Sequence, residues 1–380
     1  QFVLRRSVGP VKRLVLVLFP SPILRSDNVS ERDVYLDNQA TTSLAPGVLN
    51  AMIACYSDSY GNPHSSDHAF GWRSSDAVDG ARRQIAAVVG VDADEVIFTS
   101  GATEANNIVM LGIERDNQPR LIMSAIEHKS VVAPARERSR RGSDVVCIPV
   151  DRCGHIDLVA LAAELRTGAA LVSVMAVNNE IGTAQPLEAI ADLCRGYGAL
   201  LHVDAAQALP FGWMDWAGSA DFISLSSHKA GGPAGIGALI VARHARGRLH
   251  PILFGGGQEE GLRPGTLPMP LCVGFAAACT TLPDPDEVED WRQRAHSLAM
   301  LLERAVPGLR RNGGNDGAHP GNVSITLPEG DADAVIARLQ PLLAVSTGSA
   351  CTSGIAEPSH VLRAIGLNAS AAERTIRFSV

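Results

Sequence analysis

Chemistry that needs a primary amine can be placed at only three positions in this sequence. Of its 33 basic residues, all but Lys12, Lys129 and Lys229 are arginine, and a guanidinium cannot take an amine's place in a Schiff base. Lys229 closes the run Ser226-Ser227-His228-Lys229, just after the apolar stretch Phe222 to Leu225. If that stretch is a buried strand, Lys229 sits beyond its carboxyl end, where ligands bind in open α/β sheets. An isolated lysine is ordinarily a solvated surface charge, but two companions change the reading. Asp204 ends a second apolar run, and a buried acid needs a partner; a helix N-cap would satisfy one, and so would a pyridinium nitrogen. Ser100-Gly101-Ala102-Thr103-Glu104-Ala105-Asn106-Asn107 follows a third run and opens a helix. Glycine there lets the backbone approach a phosphate, whose charge the first-turn N–H groups favour, although strand-to-helix turns of this composition are common. No lysine completes a G-x-x-x-x-G-K-[ST] loop and no G-x-G-x-x-G follows a strand. A phosphate turn, an acid and a lysine at three strand ends together describe a pyridoxal-phosphate site.

The elements that must position these groups follow from the hydrophobic pattern. Mostly apolar runs at Glu95 to Thr99, Leu121 to Ala125, Val145 to Val150, Ala170 to Val177, Leu200 to Asp204, Phe222 to Leu225 and Gly237 to Val241 predict strands covered on both faces, as in a parallel sheet. Helix-patterned stretches lie between them, including Ser75 to Val89, Leu158 to Leu165 and Leu187 to Gly196. This rhythm predicts an α/β sheet flanked by helices. The glycine-rich loop Gly255 to Gly265 breaks it. Beyond it, helices at Val288 to Ala305 and Ala332 to Arg338 and short strands at Asn322 to Leu327, Leu343 to Thr347 and Thr375 to Ser379 predict a smaller α+β domain. We expect residues 1–33 to be a leader outside the fold, 34–50 to belong to the small domain, 51–267 to form a large cofactor-binding domain and 268–380 a small C-terminal domain.

Composition excludes several classes. Hydrophobic residues make up 46% and charged residues 19%, which is globular usage. The net charge of -7 argues against direct nucleic-acid binding. The apolar stretch Leu14 to Leu24 is broken by Pro20 and Pro22, so it cannot span a bilayer as one helix, and no membrane association is expected. Seven cysteines without a C-x-x-C pair give neither a disulfide framework nor zinc spacing; no metal site and a cytoplasmic location are expected. Most of these thiols should behave as small buried hydrophobes.

The blocks YLDNQATT from Tyr35, GNPHS from Gly61, SGATEANN from Ser100, Glu127-His128, VNNEIG from Val177, HVD from His202, Ser226 to Lys229, GLRPGT from Gly261 and STGSACTS from Ser346 resemble the NifS and IscS type of cysteine desulfurase, in order, from about residue 34 to the last residue. The resemblance implies a type I pyridoxal-phosphate transferase fold and a site residue by residue. Lys229 holds pyridoxal 5'-phosphate. His128 stacks on its ring and moves protons, Asp204 pairs with the ring nitrogen and Gln207 bonds the ring hydroxyl. Ala102, Thr103, Ser226 and His228 hold the phosphate, which Thr266 reaches from the second subunit of a homodimer. Asn178 sits beside the ring, at cofactor and substrate, while Asn38 and Arg377 bind the substrate carboxylate; a guanidinium fork suits that task. Cys351, in the small domain, distinguishes the family from its fold relatives.

The implied reaction has Lys229 displaced by L-cysteine and then acting as base at Cα, with reprotonation by His128 or Lys229. Cys351 thiolate takes the sulfur as a persulfide, L-alanine leaves, and the sulfur passes to an acceptor protein. Iron-sulfur cluster assembly, tRNA thiolation and DNA phosphorothioation all draw on such enzymes. The same fold supports selenocysteine lyases and other aminotransferases or lyases, which need no thiol at Cys351, and a non-catalytic scaffold would not need Lys229, Asp204, His128 and Cys351 together. Two departures stand out. Pro264 occupies a position where the family often has serine. The chain ends at Val380, soon after Arg377, where relatives continue with a further helical segment, which bears on the rigidity of Arg377.

Overall fold

A computed structural model describes residues 34–114, 119–314, 318–348 and 358–380. The expected leader and Cys351 lie outside the described residues. Strand β1 (Val34–Tyr35) opens the fold, and β2 (Val96–Thr99), β3 (Leu121–Ser124), β4 (Val145–Ile148), β5 (Leu171–Met175), β6 (Leu200–Asp204), β7 (Phe222–Ser226) and β8 (Gly237–Val241) form one seven-stranded sheet in the order β2-β8-β7-β6-β5-β3-β4. Strands β7, β6, β5, β3 and β4 pair in parallel, whereas β8 runs antiparallel to both β7 and β2. Strands β2, β3, β5, β6, β7 and β8 are buried along their whole length, which explains why their sequences are continuous apolar runs.

The helices that sandwich this sheet carry local reasons for their ends. Ala69–Val89 stops where Gly90 turns left-handed at φ 80°, a conformation that costs glycine nothing. Leu158–Leu165 starts on Asp157, whose carboxylate accepts from the N–H groups of Val159 and Ala160, a cap whose removal costs about 1 kcal/mol. On one face the sheet packs through Val96, Phe98, Val172, Val174, Val203 and Ile223 into the larger core. On the other it packs through Ile97, Leu171, Phe222 and Leu239 against the helix Ala102–Gly112.

Strands β9 (Arg310–Arg311), β10 (Asn322–Thr326), β11 (Leu343–Ala344) and β12 (Thr375–Ser379) complete the described strands. An antiparallel sheet ordered β12-β10-β9 packs with the helices Pro285–Ala305 and Ala332–Leu339 around a separate core. The start of the described chain joins this region: β1 pairs in parallel with β11 and Leu36 packs on the same core. No helix among the described residues is long and apolar enough to cross a membrane.

Candidate active site

Because β8 alone reverses direction, β2, β3, β5, β6 and β7 all end on one edge of the sheet. That edge therefore receives the Ser100-Gly101 turn, Glu127-His128, Asn178-Asn179, Asp204 and Ser226 to Lys229, five sequence blocks brought to one place by topology. They surround a cavity of about 360 Å³ lined by Ala102, Thr103, His128, Asp204, Gln207, Ser226, His228, Lys229 and Arg377 among others.

Each group is fixed by identifiable contacts. The Lys229 Nζ donates to the backbone carbonyls of Gln39 (2.5 Å) and Ala40 (2.7 Å). Asp204 is 5% exposed; its Oδ2 accepts from Asn106 Nδ2 at 2.7 Å and its Oδ1 from the Ala206 N–H at 3.1 Å. Gln207 donates to the same Gln39 carbonyl at 2.9 Å. At the N-terminus of Ala102–Gly112 the capping residue is Gly101, φ 147°, with no side-chain cap, so no side chain competes for the first-turn N–H groups. A Cβ on Gly237 would stand 2.3 Å from the Leu225 carbonyl oxygen and 2.6 Å from Gly101 Cα; glycine there lets β8 approach the turn. Arg377, in the middle of β12, is 3% exposed and bonds the Asn179 carbonyl (2.7 Å) and Asp37 (2.5 Å).

Three of the expected residues that the structure describes are not brought to this cavity. The Asn178 side chain is consumed in its own loop: its Nδ2 donates to the Ile126 carbonyl and its Oδ1 accepts from the N–H groups of Glu180 and Ile181. It is the neighbouring Asn179 that lines the cavity. Asn38 donates its side-chain amide to the Ser379 carbonyl at 3.0 Å and lines an adjoining cavity instead. Thr266 is exposed and away from this chain's own cavity. Cys351 is outside the described residues.

Electrostatics separate the histidines by role. Burial is the largest influence on His128 and lowers its pKa; Asp204 opposes that effect, while Lys229, His360 and Lys129 reinforce it. His228 is pushed down to about 4 by burial and then by Lys229. His202, two residues before Asp204 and so on the same face of β6, is wholly buried between Ser173 Oγ (2.8 Å) and Ser224 Oγ (3.0 Å), and burial pushes it down to about 4. Glu127 is wholly buried and accepts from the Met175 N–H at 2.8 Å; burial raises its carboxyl well above the usual range. The thiols of Cys194, Cys272 and Cys279 are pushed up to about 12 by burial, which suits structural rather than nucleophilic cysteines.

The residues present fit pyridoxal phosphate. An amine, a buried carboxylate and an uncapped helix N-terminus face one cavity, and these are the partners that an aldehyde, a ring nitrogen and a phosphate require. Sequence reasoning missed Asn106, Ser130 and Gln39 as members of the site. Their signal was available only in part, since Asn106 lies within the Ser100 block but nothing local reveals that it points back at Asp204.

Residues 34–380 match the aminotransferase class-V family model. The chain is 42% identical over 363 residues to the mitochondrial cysteine desulfurase of Drosophila melanogaster, an alignment spanning 94% of this chain and 78% of the relative. Among solved structures it resembles SspA in complex with cysteine, with a TM-score of 0.81, 35% identity and 91% and 98% of the two chains covered. It also resembles DndA from Streptomyces lividans, with a TM-score of 0.74, 37% identity and 90% and 97% covered. The mitochondrial designation of the Drosophila relative contradicts the cytoplasmic location expected above. The physical reason is simple: unpaired thiols exclude a disulfide framework but do not distinguish one reducing compartment from another.

Proposed function

The chain belongs to the aminotransferase class-V family, and from that premise we propose that this pyridoxal-phosphate enzyme acts as a cysteine desulfurase: L-cysteine and the Cys351 thiol give L-alanine and a Cys351 persulfide. The observation that supports this reading most directly is the meeting of Lys229, Asp204 and the uncapped turn at Gly101 around one cavity. Bound pyridoxal phosphate supplies an aldehyde for an amine and a sink for the electron pair left when a proton leaves Cα. Lys229 holds that aldehyde and, once released, is the base at Cα. Asp204, fixed by Asn106 and the Ala206 N–H, places a negative charge where the ring nitrogen would be. Ala102, Thr103, Ser226 and His228 hold the phosphate, Gln207 the ring hydroxyl, and Asn179 the flank of the ring. The Arg377 Nε is buried and has no hydrogen-bond partner among the described residues, which leaves it for the substrate carboxylate. The Cys351 thiolate forms the new S–S bond as the carbon–sulfur bond of the substrate breaks.

The large and small domains are taken as 51–267 and 268–380, with 34–50 belonging to the small one. A homodimer completes the phosphate site through Thr266. Leu49, Ile53, Tyr56, Tyr60 and Trp72 are each at least half exposed within residues 49–72, apolar side chains that a second subunit would cover. The sulfur passes to an acceptor protein, with iron-sulfur assembly, tRNA thiolation and DNA phosphorothioation as the candidate pathways.

Borohydride reduction of the cofactor-loaded protein followed by peptide mapping tests the assignment of Lys229. The cofactor is expected on the peptide containing Lys229, and Lys229→Ala should lose its visible absorbance. Cofactor trapped on Lys129 or Lys12 would contradict the site.

A further inference from the structure

Asp204 and His128 are joined by a chain of hydrogen bonds through two residues that have no other assigned role. Asn106 is wholly buried, and its Nδ2 donates both to Asp204 Oδ2 at 2.7 Å and to Ser130 Oγ at 2.8 Å. Ser130 Oγ in turn lies 2.7 Å from His128 Nδ1. The Ser130 backbone N–H also points at that nitrogen, at 3.2 Å.

The direction of every bond in this chain is determined. Asn106 must present its nitrogen to Asp204, because turning the amide would set oxygen against oxygen at 2.7 Å. Its second hydrogen then goes to Ser130 Oγ, which frees the serine's single hydrogen for His128 Nδ1. The backbone N–H of Ser130 can only donate. Nδ1 therefore receives two donors and bears no proton, so the neutral ring carries its proton on Nε2. The arrangement costs folding free energy, because Asn106 Oδ1 is left buried without a partner. A side chain selected for stability alone would not be held this way.

We propose that Asn106 and Ser130 are positioning residues that lock His128 as the Nε2–H tautomer with Nδ1 closed to protons. Forming the imidazolium would put a proton on Nδ1 against a backbone N–H that cannot turn away. Of the charged groups facing the ring, Asp204 favours that proton while Lys229, His360 and Lys129 oppose it. His128 thus offers a fixed hydrogen-bond donor to the cavity, and the proton that moves during the reaction is carried by Lys229. The same chain ties Asp204 to His128, so the two groups proposed to contact the ring move as one unit. This inference rests on the proposed site only for its consequence; the tautomer itself can be read whatever the reaction is.

Protein prepared with isotopically labelled histidine and bound cofactor gives the tautomer directly in a long-range proton–nitrogen correlation spectrum, with the His128 signals identified by their loss in His128→Asn. The wild type should show a protonated Nε2 and a bare Nδ1 throughout the neutral range. Ser130→Ala should shift His128 toward a mixture of tautomers, and Ser130→Thr, which keeps the hydroxyl, should restore the single form. A protonated Nδ1 or an imidazolium in the wild type would overturn the proposal, as would a Ser130→Ala spectrum identical to the wild type.

Discussion

His202 and Glu127 are both wholly buried within reach of Asp204, and they make the stability of the site depend on pH in opposite senses. The folded pKa of His202 lies at about 4, below its ordinary 6.5. Between those values the unfolded chain binds more protons than the folded one, so the contribution of His202 is present above pH 6.5 and lost as pH falls toward 4. At about 1.4 kcal/mol per pKa unit the loss is about 3 kcal/mol. Glu127 has its folded pKa raised, so the folded state binds the extra proton and stability falls as pH rises above the ordinary carboxyl value. Urea midpoints measured from neutral to acid pH should decline in the wild type. His202→Gln, which keeps a hydrogen-bonding side chain, should flatten that decline, and Glu127→Gln, which removes the opposing group, should steepen it. At this scale the sequence was partly legible. Residue types at strand ends pointed to Lys229 and Asp204, because a charge ending an apolar run is conspicuous. Asn178 and Asn179 could not be told apart, because which of two adjacent amides folds back into its loop is decided by the N–H groups of Glu180 and Ile181 and not by residue type.

The glycine-rich loop Gly255 to Gly265 shows how one element is held in an unfavourable shape. Glu259 and Glu260 both have positive φ, 48° and 55°, a conformation costing a non-glycine residue about 1–2 kcal/mol. Glu259 holds it by pairing with Arg82, 2.6 Å from NH2 and 3.0 Å from NH1, while accepting from the Phe98 N–H at 2.5 Å. Its side chain is 2% exposed and that of Arg82 is 17% exposed. Glu259→Ala leaves a buried guanidinium without its partner and should cost about 3–5 kcal/mol, read as a fall in the thermal midpoint. Because Thr266, the proposed contact to a second subunit, directly follows the same loop, sedimentation of this variant should also show more monomer than the wild type. An unchanged midpoint and unchanged assembly would mean the pair does not hold the loop. Strand positions were legible where runs were continuous and apolar: β6, β8 and β12 match their expected limits residue for residue. The antiparallel direction of β8 was not, because burial on both faces gives the same apolar run whichever way a strand points. Helices such as Met269–Cys279, apolar on nearly every side, carry no periodic stripe and were missed for that reason.

At the scale of the whole molecule the topology explains the function proposed. Two cores meet where β12 carries Arg377 to the edge of the large sheet, so the amine and the acid come from one unit and the guanidinium proposed to bind the substrate carboxylate from the other. The remaining proposed participant is Cys351, inferred from the sequence block around it. Burial drives the thiols of Cys194, Cys272 and Cys279 far from ionisation, which leaves few competitors for a sulfur-accepting role. The most direct test is the rate at which Cys351→Ser forms L-alanine from L-cysteine. A hydroxyl nearly matches a thiol in size but is a far weaker nucleophile toward sulfur and stays un-ionised at neutral pH. The variant should therefore bind cofactor as the wild type does and still respond spectrally to L-cysteine, while alanine formation collapses. Alanine formed at the wild-type rate by Cys351→Ser would contradict the desulfurase mechanism.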